Sequence, residues 1–176
     1  MTFEPTEIPD VIHIIPDVYG DQRGYFLETF QQERYAEAGI NLPFVQDNES
    51  RSRRGVLRGL HFQKTQPQGK LVRVIQGEAF DVAVDIRLGS ATFGKWVGRT
   101  LNSDQKNQLW VPPGFAHGFV VLSESCLFSY KCSAYYNQTD EGGIIWNDPS
   151  IGIQWPIDNS EISLSDKDRE LPTLRV

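Results

Sequence analysis

The sequence predicts an all-β fold, a sandwich or barrel of many short strands. Short runs rich in β-branched and aromatic residues recur at fairly regular spacing, divided by turn signals such as Pro67-Gln68-Gly69, Leu88-Gly89-Ser90 and Pro112-Pro113-Gly114. Two of these runs alternate with period two, the pattern of a strand with one buried face. Helical signal is confined to one short segment and the tail, which favours stacked or closed sheets over a layered α/β arrangement.

In chain order, residues 11–15 (V-I-H-I-I) read as a strand closed by Pro16 and a Gly20-Asp21 turn, and residues 25–30 (Y-F-L-E-T-F) continue in the same style. Residues 31–38 (Q-Q-E-R-Y-A-E-A) form the best helix, because good helix formers there end on Gly39, suited to a left-handed C-cap. Its shortness places it at the periphery. Further strands are expected at 44–49, 56–63, 70–76, 79–87, 95–101, 108–111, 118–122, 127–134 and 143–146. In 79–87, Phe80, Val82, Val84 and Ile86 alternate with Ala79, Asp81, Ala83, Asp85 and Arg87, so the strand is expected to be half-buried. Cys126, Phe128, Tyr130 and Cys132 alternate likewise. The tail from Ser163 (S-L-S-D-K-D-R-E-L-P) offers cap residues followed by charges, a turn or single helical turn stopped near Pro172.

A chain of 176 residues reads as one domain, 1–176, with no internal repeat and no linker-like shift in composition. Hydrophobic residues make up 39% and charged residues 23%, which excludes wholesale disorder. The net charge of -6 argues against general nucleic-acid or membrane-surface binding, although a local basic pocket could still hold a phosphate. The N-terminus has neither a basic start nor an apolar run of signal-peptide length, and no stretch approaches the ~20 apolar residues of a membrane span. The expected location is cytoplasmic. Cys126 and Cys132 fall in one strand, ~20 Å apart at ~3.3 Å per residue, beyond disulfide reach, so both are expected to be reduced and structural.

Two segments concentrate the chemistry: R-G-V-L-R-G-L-H-F over 54–62 and W-V-P-P-G-F-A-H-G-F over 110–119. Each contributes one of the chain's three histidines. His61 could be a buried, hydrogen-bonded histidine, but an imidazole with its tautomer fixed by a carboxylate is also the side chain best suited to move protons near neutrality. Asp168 or Asp166 could supply that carboxylate. P-x-G-x-x-H around His117 resembles half of a metal-cupin signature, yet His61-Phe62-Gln63 lacks the paired histidines of the other half and His13 is remote. No metal is therefore expected, and His117 reads as a hydrogen-bond donor lining a site or as a structural turn residue. Arg51, Arg53, Arg54 and Arg58 cluster in an acidic chain, either a solvated loop or, with Arg23, a clamp for an anionic substrate. Lys70 is a surface strand residue or, facing inward, a cation for a developing oxyanion. Tyr130 packs in the core or donates a proton, and Tyr135 and Tyr136 pack or stack on a ring. Arg58 and His61 are three apart, which sends them to opposite faces of a regular strand unless Gly59 hosts a bulge.

The blocks R-G-x-L-R-G-L-H-F-Q, Q-G-K-L-V-R-V, W-V-P-P-G-F-A-H-G-F, Y-K-C-S-A-Y-Y, D-E-G-G-I-I-W-N-D-P and L-S-x-K-D, in this order through nearly the whole chain, resemble the dTDP-4-dehydrorhamnose 3,5-epimerase family. The resemblance implies a cupin-type jelly roll, a homodimer, no metal or other cofactor, and inversion at C3 and C5 of a dTDP-linked 4-keto-6-deoxy hexose on the way to dTDP-L-rhamnose. On matching positions it implies His61 as base, Asp168 as its orienting partner, Tyr130 as proton donor and Lys70 as the cation at the C4 enolate. It also implies substrate binding by Arg23, Glu28, Gln46, Asn48, Arg58, His117, Tyr136, Glu141 and Lys167. The rivals are a mono-epimerase acting at C3 or C5 alone, a non-catalytic sugar-binding cupin and a metal-dependent cupin oxygenase.

Overall fold

The computed structural model describes residues 1–174. Its strands are β1 (Thr2–Pro5), β2 (Ile12–Ile15), β3 (Val18–Asp21), β4 (Gly24–Leu27), β5 (Gln46–Arg53), β6 (Leu57–Gln63), β7 (Lys70–Gln76), β8 (Glu78–Asp85), β9 (Trp96–Asn102), β10 (Gln108–Val111), β11 (Phe115–Val121), β12 (Ser125–Cys132) and β13 (Glu141–Gly143). Two short helices, α1 (Gln32–Glu37) and α2 (Asp166–Arg169), complete the pattern. A six-stranded sheet has the order β1-β2-β10-β7-β12-β5 and a five-stranded sheet the order β13-β6-β11-β8-β9, while β3 and β4 form a separate hairpin. The sheets are antiparallel throughout, as the all-β reading requires.

The main core lies between the sheets. Val72, Val74, Leu109, Val111, Cys126 and Phe128 from one meet Ala79, Ala83, Val97, Leu101, Phe115, Phe119 and Val121 from the other. Phe119 stacks on Phe128 with ring centroids 3.9 Å apart. Both sheets also bury part of their outer faces. Ile144, Ile151, Ile153 and Trp155 cover Leu60, Val82 and Val84 of the five-stranded sheet. The outer face of the six-stranded sheet carries Ile14, Leu71 and Trp110, covered by Tyr35 and Ile40 with Phe30 and Phe44. Helix α1 is short, as expected, yet its Tyr35 is fully buried and its hydroxyl donates to Gln108 Oε1 at 2.9 Å.

This second layer corrects the half-buried reading of residues 79–87. Both faces of β8 are covered, and Asp81 and Asp85, expected to face solvent, are completely buried on the side that carries Ala79 and Ala83. The apolar face of Phe80, Val82 and Val84 instead lies under the C-terminal segment. The turn expected at Gly20-Asp21 is the end of β3, with the reversal at Gln22-Arg23, and β1 was not anticipated. Strand β11 begins at Phe115, so His117 is a strand residue and not a turn residue. The strand expected at 143–146 is displaced to Glu141–Gly143. Cys126 and Cys132 are both free and buried.

Buried carboxylates tie the long turns. Asp85 accepts from Arg87 Nε at 2.9 Å, Ser90 Oγ at 2.6 Å and Thr92 Oγ1 at 2.6 Å, closing the turn before β9. Asp148 accepts from Ser150 N at 2.8 Å and Leu174 N at 2.6 Å, anchoring the C-terminal segment. Burial alone would raise both groups, but these bonds hold each below the usual carboxylate range. A depressed folded pKa contributes stability above the unfolded value of about 3.9, lost as pH falls through the folded value. Melting temperature is therefore expected to hold from neutrality to about pH 5 and to drop steadily below about pH 4. Asp85→Asn should lower the melting temperature at pH 7 and flatten that acid slope; thermal melts from pH 7 to pH 3 check both, and parallel curves would remove Asp85 from the account.

Candidate active site

A cavity of about 460 Å³ lies between the sheets. The five-stranded sheet contributes Arg58 and His61 from β6, His117 and Phe119 from β11 and Glu141 from β13; the six-stranded sheet contributes Ser50 from β5, Lys70 from β7 and Tyr130 from β12. Residues 163–165 together with Lys167 and Asp168 close one side.

The local geometry of β6 answers the spacing of Arg58 and His61. Opposite β11, Phe119 pairs with Arg58 and His117 with His61, so three steps on β6 span two on its neighbour. The extra residue is a bulge at Gly59, whose φ of +121° is left-handed backbone. Arg58 and His61 consequently line the same cavity.

The same turn recruits the tail. Leu57 N–H donates to Ser163 O and Ser163 N–H to Gly55 O, each at 2.9 Å, strapping the C-terminal segment along the start of β6. Ser165 then caps α2 by accepting from the Asp168 N–H at 3.1 Å. Asp168, almost wholly buried, thereby reaches His61 Nε2 at 2.7 Å and accepts from the Gly59 N–H at 3.3 Å. Burial raises the Asp168 carboxyl, but the His61 and Gly59 bonds outweigh it and hold the group below the usual range. Asp168 is thus ionised at neutral pH, the Nε2 proton points to it, and Nδ1 of a neutral His61 keeps the lone pair.

Lys70 and Tyr130 form the opposite wall, the ammonium 5.9 Å from the Tyr130 ring centroid. Burial lowers Lys70, opposed by the fields of Cys132, Asp81 and Glu141. Burial likewise raises Tyr130. Arg58 is steadied by a bond from Nε to Ser52 Oγ at 3.1 Å. A smaller lobe of about 90 Å³ shares His61, Lys70, Tyr130 and Glu141 with the main cavity and adds Asn48 and Tyr136. At its rim Glu141 accepts from Lys167 Nζ at 2.8 Å and Tyr136 Oη at 3.1 Å. Gln46 stands behind this lobe, donating to Asn48 Oδ1 at 3.0 Å and accepting from Tyr136 N–H at 2.8 Å.

Of the expected site residues, His61, Asp168, Tyr130, Lys70, Arg58, His117, Glu141 and Lys167 line the cavity, with Asn48 and Tyr136 in its side lobe. Arg23 and Glu28 do not join them: Arg23 sits on the β3–β4 hairpin beside Asp21, and Glu28 pairs with Arg34. Sequence reasoning missed Asp81, whose carboxylate accepts from His117 Nε2 at 2.8 Å. It also missed Ser52, Ser165 and the strap itself. An aspartate alternating with Ala79 and Ala83 was the available signal for Asp81, since small neighbours leave room for a partner from across the strand. Among the described residues no three His, Cys, Asp or Glu side chains converge as metal ligands.

The family model described as dTDP-4-dehydrorhamnose 3,5-epimerase matches residues 5–176. The chain belongs to the dTDP-4-dehydrorhamnose 3,5-epimerase family. It is an epimerase, and its sheets are those of a cupin-type jelly roll. A family member from Shigella flexneri is 56% identical over 165 residues, covering 93% of this chain and 90% of the relative. The crystal structure of dTDP-6-deoxy-D-glucose-3,5-epimerase from Legionella pneumophila Philadelphia 1, in complex with dTDP-4-keto-L-rhamnose, superposes with a TM-score of 0.95 at 53% identity, covering 98% of this chain and 92% of that one. A 3'-monoepimerase from Streptomyces bikiniensis, in complex with dTDP-quinovose, shares the epimerase fold at a TM-score of 0.90 and 34% identity, covering 97% and 86%.

Proposed function

We propose that this single-domain epimerase, residues 1–176, inverts C3 and C5 of dTDP-4-dehydro-6-deoxy-D-glucose, giving dTDP-4-dehydro-L-rhamnose for dTDP-L-rhamnose biosynthesis. The observation that carries the reading is the pairing, across one cavity, of the His61–Asp168 dyad on the five-stranded sheet with Tyr130 and Lys70 on the six-stranded sheet.

Both reacting carbons flank the C4 ketone, so removing either proton delocalises charge onto the same oxygen. His61 Nδ1 removes the proton while Asp168 holds the ring and stabilises the imidazolium. Lys70, half-buried in the cavity wall, stabilises the C4 enolate through its positive charge. Tyr130 then returns a proton to the opposite face; solvent reprotonates Tyr130 and takes the proton from the His61 imidazolium, which readies both groups for the second carbon. A base and an acid from opposing walls suit inversion, since a single group on one wall returns the proton to the side it left. No redox cofactor or metal enters this scheme.

Arg58 suits the diphosphate. His117 lines the sugar cavity, and Asn48, Gln46, Tyr136, Glu141 and Lys167 surround the lobe that suits the nucleoside. Arg23 and Glu28 act across a homodimer interface: the hairpin carrying Arg23 exposes Tyr19, Tyr25 and Phe26 by 61–69%, an apolar surface suited to a second copy. Among the described residues no helix is long and apolar enough to cross a membrane. The acidic balance of the sequence supports a cytoplasmic enzyme that binds neither a membrane surface nor nucleic acid.

Proton NMR of the substrate incubated with enzyme in deuterated water tests the reading. Deuterium should enter at both C3 and C5, with the L-configured product trapped by a reductase. Exchange at one carbon makes the enzyme a mono-epimerase. No exchange at either sinks the enolate mechanism for this sugar.

A further inference from the structure

The His117–Asp81 contact is a second histidine–aspartate pair, and the scheme above gives Asp81 no task. Asp81 is fully buried on β8, it binds His117 Nε2 at 2.8 Å through Oδ1, and its Oδ2 has no hydrogen-bond partner. Burial pushes the Asp81 carboxyl above the usual carboxylate range, opposed by His117 and Lys70, so a charged Asp81 with one oxygen unpaired depends on a nearby positive charge. Lys70 is the cation available. It lines the cavity with His117, is in none of the ion pairs among the described residues, and lies within the field of Asp81.

We propose that Asp81 is a positioning residue of the epimerase, the counter-charge that keeps Lys70 an ammonium and the acceptor that fixes the tautomer of His117. The proposal rests on the enolate reading of the site. Lys70 is faced by Cys132 and Tyr130 on β12, Asp81 on β8, Glu141 on β13, His61 on β6 and His117 on β11. Glu141 is already bound to Lys167 and Tyr136. The Cys132 thiol is pushed upward by burial and stays neutral at neutral pH, and burial also disfavours a charged His117. Asp81 is therefore the carboxylate not committed to another cation. A neutral His117 donating from Nε2 to Asp81 keeps a second positive charge away from the ammonium.

Carbon-13 NMR of lysine side chains in the intact protein decides this without substrate, with Lys70→Met identifying the Lys70 signal. In Asp81→Asn, Lys70 should titrate about one to three pH units lower than in the wild type. In His117→Asn, which keeps the carboxylate, the Lys70 midpoint should hold or rise; this variant also serves if Asp81→Asn does not fold. In kinetics, Asp81→Asn should lower kcat at pH 8 by about tenfold or more while KM changes by less than about threefold, with the alkaline limb of the profile moved to lower pH. An unmoved Lys70 midpoint in Asp81→Asn, or an equal fall in His117→Asn, overturns the proposal. Wild-type protein inactive on the dTDP-ketosugar refutes the epimerase reading instead, and the lysine titration still decides whether Asp81 sets the charge of Lys70.

Discussion

His61→Asn should lower kcat by about 10²–10⁴-fold, the usual contribution of a positioned general base. The substitution keeps a polar group of similar reach next to Asp168 and removes the lone pair that takes the proton. Arg58, Tyr136, Glu141 and Lys167 hold their positions through partners other than His61. Affinity for dTDP, measured by calorimetry, should therefore change by no more than about threefold, because nucleotide binding and proton abstraction use different side chains. Deuterium exchange at C3 and C5 should disappear with turnover. Exchange that persists at the wild-type rate would move the base elsewhere, and a parallel loss of dTDP binding would make His61 a binding residue.

Much of this site was legible in the sequence, for a physical reason. Strands β8 and β12 show period-two patterns, and Gly and Pro bound the segments that carry His61 and His117, so these two histidines stood out from local signals, while the inward aim of Lys70 was one of two readings. Gly59 was legible as the position where a bulge would let Arg58 and His61 share a face, a condition that only the fold shows to be met. Asp81 was not, since an aspartate in an alternating strand reads as solvent-facing until the layer covering the other face is known. That layer comes from residues 144–155, far along the chain, and no local pattern announces it. The His61–Asp168 bond spans 107 positions and depends on the Ser163 strap, a backbone contact with almost no side-chain signature. Arg23 and Glu28 show the opposite limit. Their motif was readable, but the fold of one chain leaves them outside its own cavity.

Gly59→Ala should cost both stability and catalysis, because three demands meet at one glycine. Its φ of +121° is a conformation that residues with a Cβ rarely adopt. A Cβ there would lie 2.7 Å from Gly118 Cα and 2.7 Å from His117 O, both backbone atoms that cannot swing aside. Its N–H, at 3.3 Å, also helps hold the Asp168 carboxylate. Backbone strain of this kind costs on the order of 1–3 kcal/mol before the clash is counted, so a loss of about 3 kcal/mol or more is expected in denaturant unfolding. If the chain relieves the clash by straightening β6, Arg58 and His61 turn to opposite faces and the bulge is lost. The folded fraction should then retain less than about 1% of wild-type kcat, since a displacement of about 1 Å at the base already costs ~10²-fold. Unfolding curves and kcat measured on the same preparation separate the two losses. A variant with wild-type stability would show that the bulge tolerates a side chain, and one that is less stable yet fully active would show that the bulge does not set the aim of His61.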